Sequence, residues 1–203
     1  DLAGDLVGDG AARSAVAGAL AVNITLAAMM VAALAFRDNA SLPSATAFIA
    51  FPLVLAAFAL ASGWFGVLVV RTDATEAPMN ALVRGLYVAA LLYAVAAFGC
   101  AKWLLGEHWL RLGGSVVVGV VASLSFAFLA QWFSEPKYPP VRALAETHRS
   151  GATLGTLRGV LLASDAVMAL VAVAVVTGMA AWSIGSSSGL AGGGLLGVAL
   201  ATA

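Results

Sequence analysis

Long apolar runs separated by short polar breaks dominate the chain. Five runs reach the roughly 20 residues that a membrane-crossing helix needs: 15–36, 45–70, 82–105, 112–133 and 153–182. The last is long enough to tilt or to project past a bilayer. A sixth run starts near Gly189 and is cut short at Ala203. Unbroken runs of this length do not fit the alternating strands of a membrane barrel. In hydrocarbon every backbone polar group must be bonded internally, which a helix achieves within one segment. The pattern predicts an all-α polytopic membrane helix bundle, with five full transmembrane helices plus a partial sixth. Residues 1–203 are expected to form a single transmembrane domain. The first residue is Asp1, and no basic segment with a cleavage site precedes the first apolar run. We therefore expect no signal peptide, and a segment of a longer protein.

Composition narrows the class. Hydrophobic residues make up 62% of the chain and charged residues 10%, against roughly 25% charged in soluble domains. Mean hydropathy is +1.01. Ten acids and ten bases cannot cover a soluble core of this size. A net charge of zero offers no basic face to nucleic acid. The single Cys100 excludes an intrachain disulfide and a thiolate metal site.

The breaks carry turn residues: Arg37-Asp38-Asn39 with Pro43, then 71–78, then a short turn at Gly106-Glu107-His108. The stretch 134–150, with Pro136, Pro139 and Pro140, reads as the longest polar loop, and 183–189 as a Gly/Ser linker. If the Asp1 end is cytoplasmic, seven cations lie on or near that side: Arg13, Arg71, Arg84, Lys137, Arg142, Arg149 and Arg158. Arg37, Lys102 and Arg111 lie opposite, so the positive-inside bias supports this orientation. Trp103, Trp109 and Trp182 then fall at the far interface and Trp132 at the near one, with Trp64 deeper as packing. Gly113, Gly114 and Gly119 would let helices approach closely.

The chemistry concentrates in Asp1-Leu-Ala-Gly-Asp5-Leu-Val-Gly-Asp9. Acids every four residues share one face of a helix, about 6 Å apart. Gly4 and Gly8 leave an adjacent stripe bare. Three stacked carboxylates repel one another unless cations lie between them, and their oxygens suit Mg²⁺, which commonly binds through carboxylates and substrate phosphates. The direct reading is a metal-phosphate site at the cytoplasmic end of the first span. The plainer alternative is a solvated helix start whose acids suit the dipole, an effect that fades within one turn.

This repeat resembles the Asp-Asn-Val-Gly-Asp-Asn-Val-Gly-Asp signature of the membrane-integral, ion-pumping inorganic pyrophosphatases. Further stretches are similar in the same order: Phe51-Pro52-Leu53, Ala61-Ser62-Gly63 through Gly66, Val70-Arg71, Pro78-Met79 through Arg84-Gly85, Pro140-Val141-Arg142 through Glu146, Ser150-Gly151 and Leu196–Ala201. The resemblance implies an integral membrane enzyme that couples hydrolysis of inorganic pyrophosphate with Mg²⁺ to proton or sodium translocation. It implies Asp1 and Asp5 as metal ligands and Asp9 as the catalytic residue that orients and deprotonates water. It also implies a homodimer in the lipid bilayer, and we expect a bacterial inner membrane with the Asp1 end cytoplasmic and no nucleic-acid partner.

The chain departs from the pattern at points that bear on mechanism. The signature's two Asn are Leu2 and Leu6, and the gate positions below it are the uncharged Val16, Ala19 and Asn23. Gly155 stands where the family motif has Asn, and Arg158 where a small residue is usual. Asn23, at the ion gate, can hydrogen-bond water but cannot release a proton. A proton path normally uses a titratable group within the membrane, so this stripe predicts weak coupling or loss of both activities. A catalytically impaired relative with a structural or regulatory role, and an unrelated cation transporter, stay open as alternatives. Among other candidates, Arg158 and Asp165 sit seven residues apart, as an intramembrane functional pair or an internal salt bridge. Lys137, Arg142 and Arg149 can draw in pyrophosphate or simply fix topology. His148 has no second His at ligand spacing.

Overall fold

The computed structural model describes residues 2–35, 45–71, 78–149, 151–190 and 192–203. They form helices α1 (Leu2–Ala35), α2 (Ala45–Val69), α3 (Pro78–Leu104), α4 (Trp109–Ser134), α5 (Pro139–Arg149), α6 (Ala152–Ser186) and α7 (Gly193–Thr202). No strand occurs among the described residues. Five stretches are long and apolar enough to cross a membrane, one in each of α1, α2, α3, α4 and α6; α7 is shorter. This is the predicted all-α membrane bundle.

The boundaries differ from the apolar runs in three places. The acidic repeat is helical, so α1 begins at Leu2 and not near 15. The Gly/Ser stretch continues α6 to Ser186, with the Ser183 and Ser186 hydroxyls donating to the carbonyls of Ala180 and Ser183. The expected loop 134–150 contains α5, which packs along α6. Pro139 and Pro140 open this helix, where a proline's missing N–H costs nothing and its φ is already set. Gly106, at φ +53°, makes the tight turn into the short 3₁₀ segment Gly106–His108.

Successive long helices run antiparallel. The core lies at the end of the bundle that carries the Gly106 turn, here called the lower end. There Phe51 and Leu55 of α2, Ala97 and Ala101 of α3, Leu112 and Val116 of α4, and Leu196 and Leu200 of α7 are buried together. Glycine sets the closest crossings. A Cβ at Gly66 would stand 2.8 Å from the Gly85 carbonyl oxygen, and the reverse holds at the same distance. Backbones meet there because lipid gives apolar side chains little reason to associate, leaving close packing as the main attraction. Gly119 lies against the carbonyl of Ala201, and Gly185 against the backbone of Gly193, so α7 is wedged between α4 and α6.

Gly119→Val in the full-length protein should therefore force α4 and α7 apart and destabilise it by about 1–3 kcal/mol or more. Gly99→Val, at a position with nothing within 4 Å, is the control. Thermal melts in detergent check this: equal midpoints for the two variants would mean that α7 does not sit on Gly119.

Candidate functional site

The acidic repeat is continuous with the span below it, so α1 carries both as one rod. Asp5 and Asp9 lie on consecutive turns and are exposed; Asp1 lies outside the described residues. At about 100° per residue, Asp5, Asp9, Val16 and Asn23 fall within one stripe about 40° wide. Asn23, also exposed, lies about 21 Å below Asp9 on that stripe. Ala19 is set further round the helix.

The buried residues of α1 are Thr25, Ala28 and Ala32, all in its lower half and on nearly the opposite side. The acidic stripe thus turns away from the bundle that these helices build. No described helix of this chain faces the acids. The reason lies in the sequence: the helices that α1 packs against, α2 and α7, meet its lower half.

One neighbour of the acids went unread in the sequence. The Arg13 guanidinium lies 3.8 Å from the Asp9 carboxylate, with side chains 84% and 77% exposed. The signal was present as an i,i+4 acid–base spacing. In the open such a pair adds little stability. Asp5 has no ion-pair or hydrogen-bond partner among the described residues. Below Arg13, α1 carries no ionisable side chain as far as Ala35.

No group of three or more His, Cys, Asp or Glu converges among the described residues. Two carboxylates on adjacent turns nevertheless fit Mg²⁺, which is commonly held by one or two carboxylates, with phosphate oxygens and water completing its shell. The donor set is hard oxygen, and the Asp5 oxygens are uncommitted.

The other charged candidates sit on α5 and α6 and in the turn before α5. Arg158 and Asp165 are both exposed on α6 and form no ion pair among the described residues. Lys137 pairs with Glu135 at 2.6 Å, and its hydrogen bond to that carboxylate holds the ammonium pKa above its ordinary value. Arg142 donates through Nε to the Pro136 carbonyl at 3.1 Å. The His148 ring fills the space over Gly155 and locks α5 to α6; an Asn at 155 would collide with it. Inside the bundle, a cavity of about 280 Å³ between α2, α3, α4 and α7 is lined by Ser62, Tyr93 and Ser123 among others. The buried Tyr93 hydroxyl has no partner among the described residues. The cavity offers no charge to bind a phosphate.

The family model described as inorganic H+ pyrophosphatase matches residues 1–203. The K(+)-insensitive pyrophosphate-energized proton pump 2 of Moorella thermoacetica is 30% identical over 207 residues, covering 100% of this chain and 29% of the relative. The pyrophosphate-energized membrane proton pump 3 of Arabidopsis thaliana is 32% identical over 222 residues, covering 100% of this chain and 27% of the relative. A K(+)-insensitive pyrophosphate-energized proton pump of Caldanaerobacter subterraneus is 32% identical over 120 residues, covering 55% of this chain and 17% of the relative. The chain thus spans less than a third of the length of these relatives. No solved structure matches it.

Proposed function

The chain belongs to the inorganic H+ pyrophosphatase family, and on that premise we propose that it is part of an ion-translocating enzyme that couples hydrolysis of Mg-pyrophosphate to proton transport. The observation that carries this is the exposed Asp5–Asp9 stripe on α1, in a membrane chain matched by the family along its whole length. Family membership removes the unrelated transporter from the alternatives. The chain is an integral membrane protein, with five helices long and apolar enough to span.

In the proposed site the acidic stripe faces helices of the parent protein that lie outside residues 1–203, and pyrophosphate binds between them. Asp1 and Asp5 hold Mg²⁺, and Asp9 positions the attacking water. When bound, Mg²⁺ offsets the charge of the tetra-anion and polarises its phosphorus. As the water oxygen bonds to phosphorus, its proton passes to the Asp9 carboxylate. The bridging P–O bond breaks, and two phosphates leave. Arg13, one turn along, keeps Asp9 aimed at the water. Leu2 and Leu6 contribute no amide, so orientation of the substrate falls to other helices. Asn23 stands on the gate stripe, where it can hydrogen-bond water. The positive-inside bias supports a cytoplasmic Asp5 end. By resemblance to the family, the protein is a homodimer, and we assign it to a bacterial inner membrane.

The second reading, a catalytically impaired relative, draws on those two leucines and on the uncharged Val16, Ala19 and Asn23. Phosphate release separates the two. Membranes from cells expressing the full-length parent chain should hydrolyse pyrophosphate with Mg²⁺ and stop when EDTA removes it. Release that persists in EDTA would dismiss the metal role of the aspartates. No release under any condition would favour the impaired relative.

A further inference from the structure

The outward face of α4 and α6 carries an apolar groove that the hydrolytic proposal does not use. One hollow of about 440 Å³ runs between the two helices. A second, of about 370 Å³, continues it towards the upper end and shares Val121, Ser125 and Val173 with the first. Together they follow α4 from Val117 to Leu129, about 18 Å of helix. That is close to one leaflet's share of a ~30 Å hydrocarbon core. The hydroxyls in the groove ask for no outside partner: Ser125 donates to the Val121 carbonyl at 2.8 Å and Thr177 to the Val173 carbonyl at 2.7 Å. The lining is therefore apolar in effect, and Val121 and Val176 stand 57% and 66% exposed.

The upper end of the groove changes character. Phe128, which lines it, meets Trp132 at 5.9 Å and Tyr138 at 6.4 Å between ring centroids, and Trp132 meets Tyr138 at 4.8 Å. Trp and Tyr are enriched where hydrocarbon gives way to headgroups. One turn after Tyr138 stands Arg142, whose backbone N–H bonds the Tyr138 carbonyl. Lys137 is already neutralised by Glu135, whereas Arg142 has no ion pair among the described residues and engages the protein only through Nε. Its remaining guanidinium N–H groups match a phosphate oxygen pair.

We propose that this groove binds one anionic phospholipid, an acyl chain lying along α4 and α6 and its phosphate on Arg142. An apolar trough of leaflet length that leads through Phe128 to an aromatic cluster, with a guanidinium free of ion pairs one helical turn beyond it, complements such a molecule at both ends. A packed helix or a second copy would need no anion at Arg142. The inference rests on the chain's place in the membrane and not on catalysis.

The test uses the full-length protein in phosphatidylcholine nanodiscs doped with phosphatidylglycerol bearing a photoreactive diazirine on one acyl chain. Cross-linked peptides are read by mass spectrometry. Labels should map to 117–129 and 172–180, and unlabelled phosphatidylglycerol should displace them while phosphatidylcholine does not. Arg142→Gln should lower labelling about tenfold, the scale of one charge-assisted contact. Val121→Trp, which fills the trough without touching charge, should lower it as well. Arg142 is exposed, so its variant keeps the test decisive if the Val121 variant folds poorly. Equal labelling by the two lipids, unchanged in Arg142→Gln, would mean a non-selective lipid shell and overturn the proposal. So would displacement by soluble pyrophosphate, which would assign Arg142 to the substrate, or cross-linking of Val121→Cys to a second copy.

Discussion

Asp9→Ala in the full-length protein should cut phosphate release from pyrophosphate by about 10²–10⁴-fold, the range for loss of a positioned acid–base group. Asp5→Ala should do the same by leaving the metal under-coordinated and the substrate charge uncompensated. The two should differ in how they fail. Raising Mg²⁺ should partly restore Asp5→Ala, because a weakened metal site can be refilled by mass action. It should not restore Asp9→Ala, whose lost group handles the proton. Arg13→Ala should be milder than either, since its pair with Asp9 is exposed at 3.8 Å and such pairs are weak. The measurement is initial phosphate release from membranes at graded Mg²⁺. Full turnover in both aspartate variants would remove the stripe from the mechanism.

The long helices were legible because lipid imposes one demand over some twenty residues, and apolar runs answer it directly. What the runs conceal is where a helix leaves the membrane. The hydropathy of α1 fades above Ala15, but no proline stands from Leu2 to Ser14, so the helix continues through the acids despite Gly4, Gly8 and Gly10. α5 was missed for the opposite reason. Its eleven residues are polar on average, and three prolines in five positions read as punctuation. Two of those prolines sit in the first turn, where they start a helix. Behind them Val141, Leu144 and His148 recur at helical spacing. The pairing of His148 with Gly155 depends on how α5 folds back on α6, a tertiary fact that no local pattern encodes. At the candidate site, the shared face of Asp5 and Asp9 follows from the four-residue period alone. The direction of that face does not. It is set by Thr25, Ala28 and Ala32, three small residues that one apolar helix among several gives no reason to single out.

Sealed inverted vesicles carrying the full-length protein should acidify inside when Mg-pyrophosphate is added, at a rate that Asp165→Asn leaves unchanged. The uncharged Val16, Ala19 and Asn23 point to weak coupling, yet two relatives that match the whole chain are named as proton pumps. A carboxylate outside residues 1–203, facing the stripe of α1, reconciles the two. Asp165 is a poor substitute, because α6 packs on α4, α5 and α7 while α1 packs on α2 and α7. An exposed acid in the middle of α6 has no route to that stripe within the described residues. Asn23 should still matter if water crosses the gate beside it. Asn23→Leu should slow ΔpH formation more than phosphate release, because the side chain lies about 21 Å below Asp9 and outside the hydrolytic centre. The readouts are quenching of a pH-sensitive dye and phosphate release in the same vesicles. Loss of acidification in Asp165→Asn would make that residue the carrier and remove the need for an acid elsewhere. Hydrolysis with no ΔpH in the unaltered protein would show that the missing charges are not replaced, and the chain would then belong to an uncoupled member of its family.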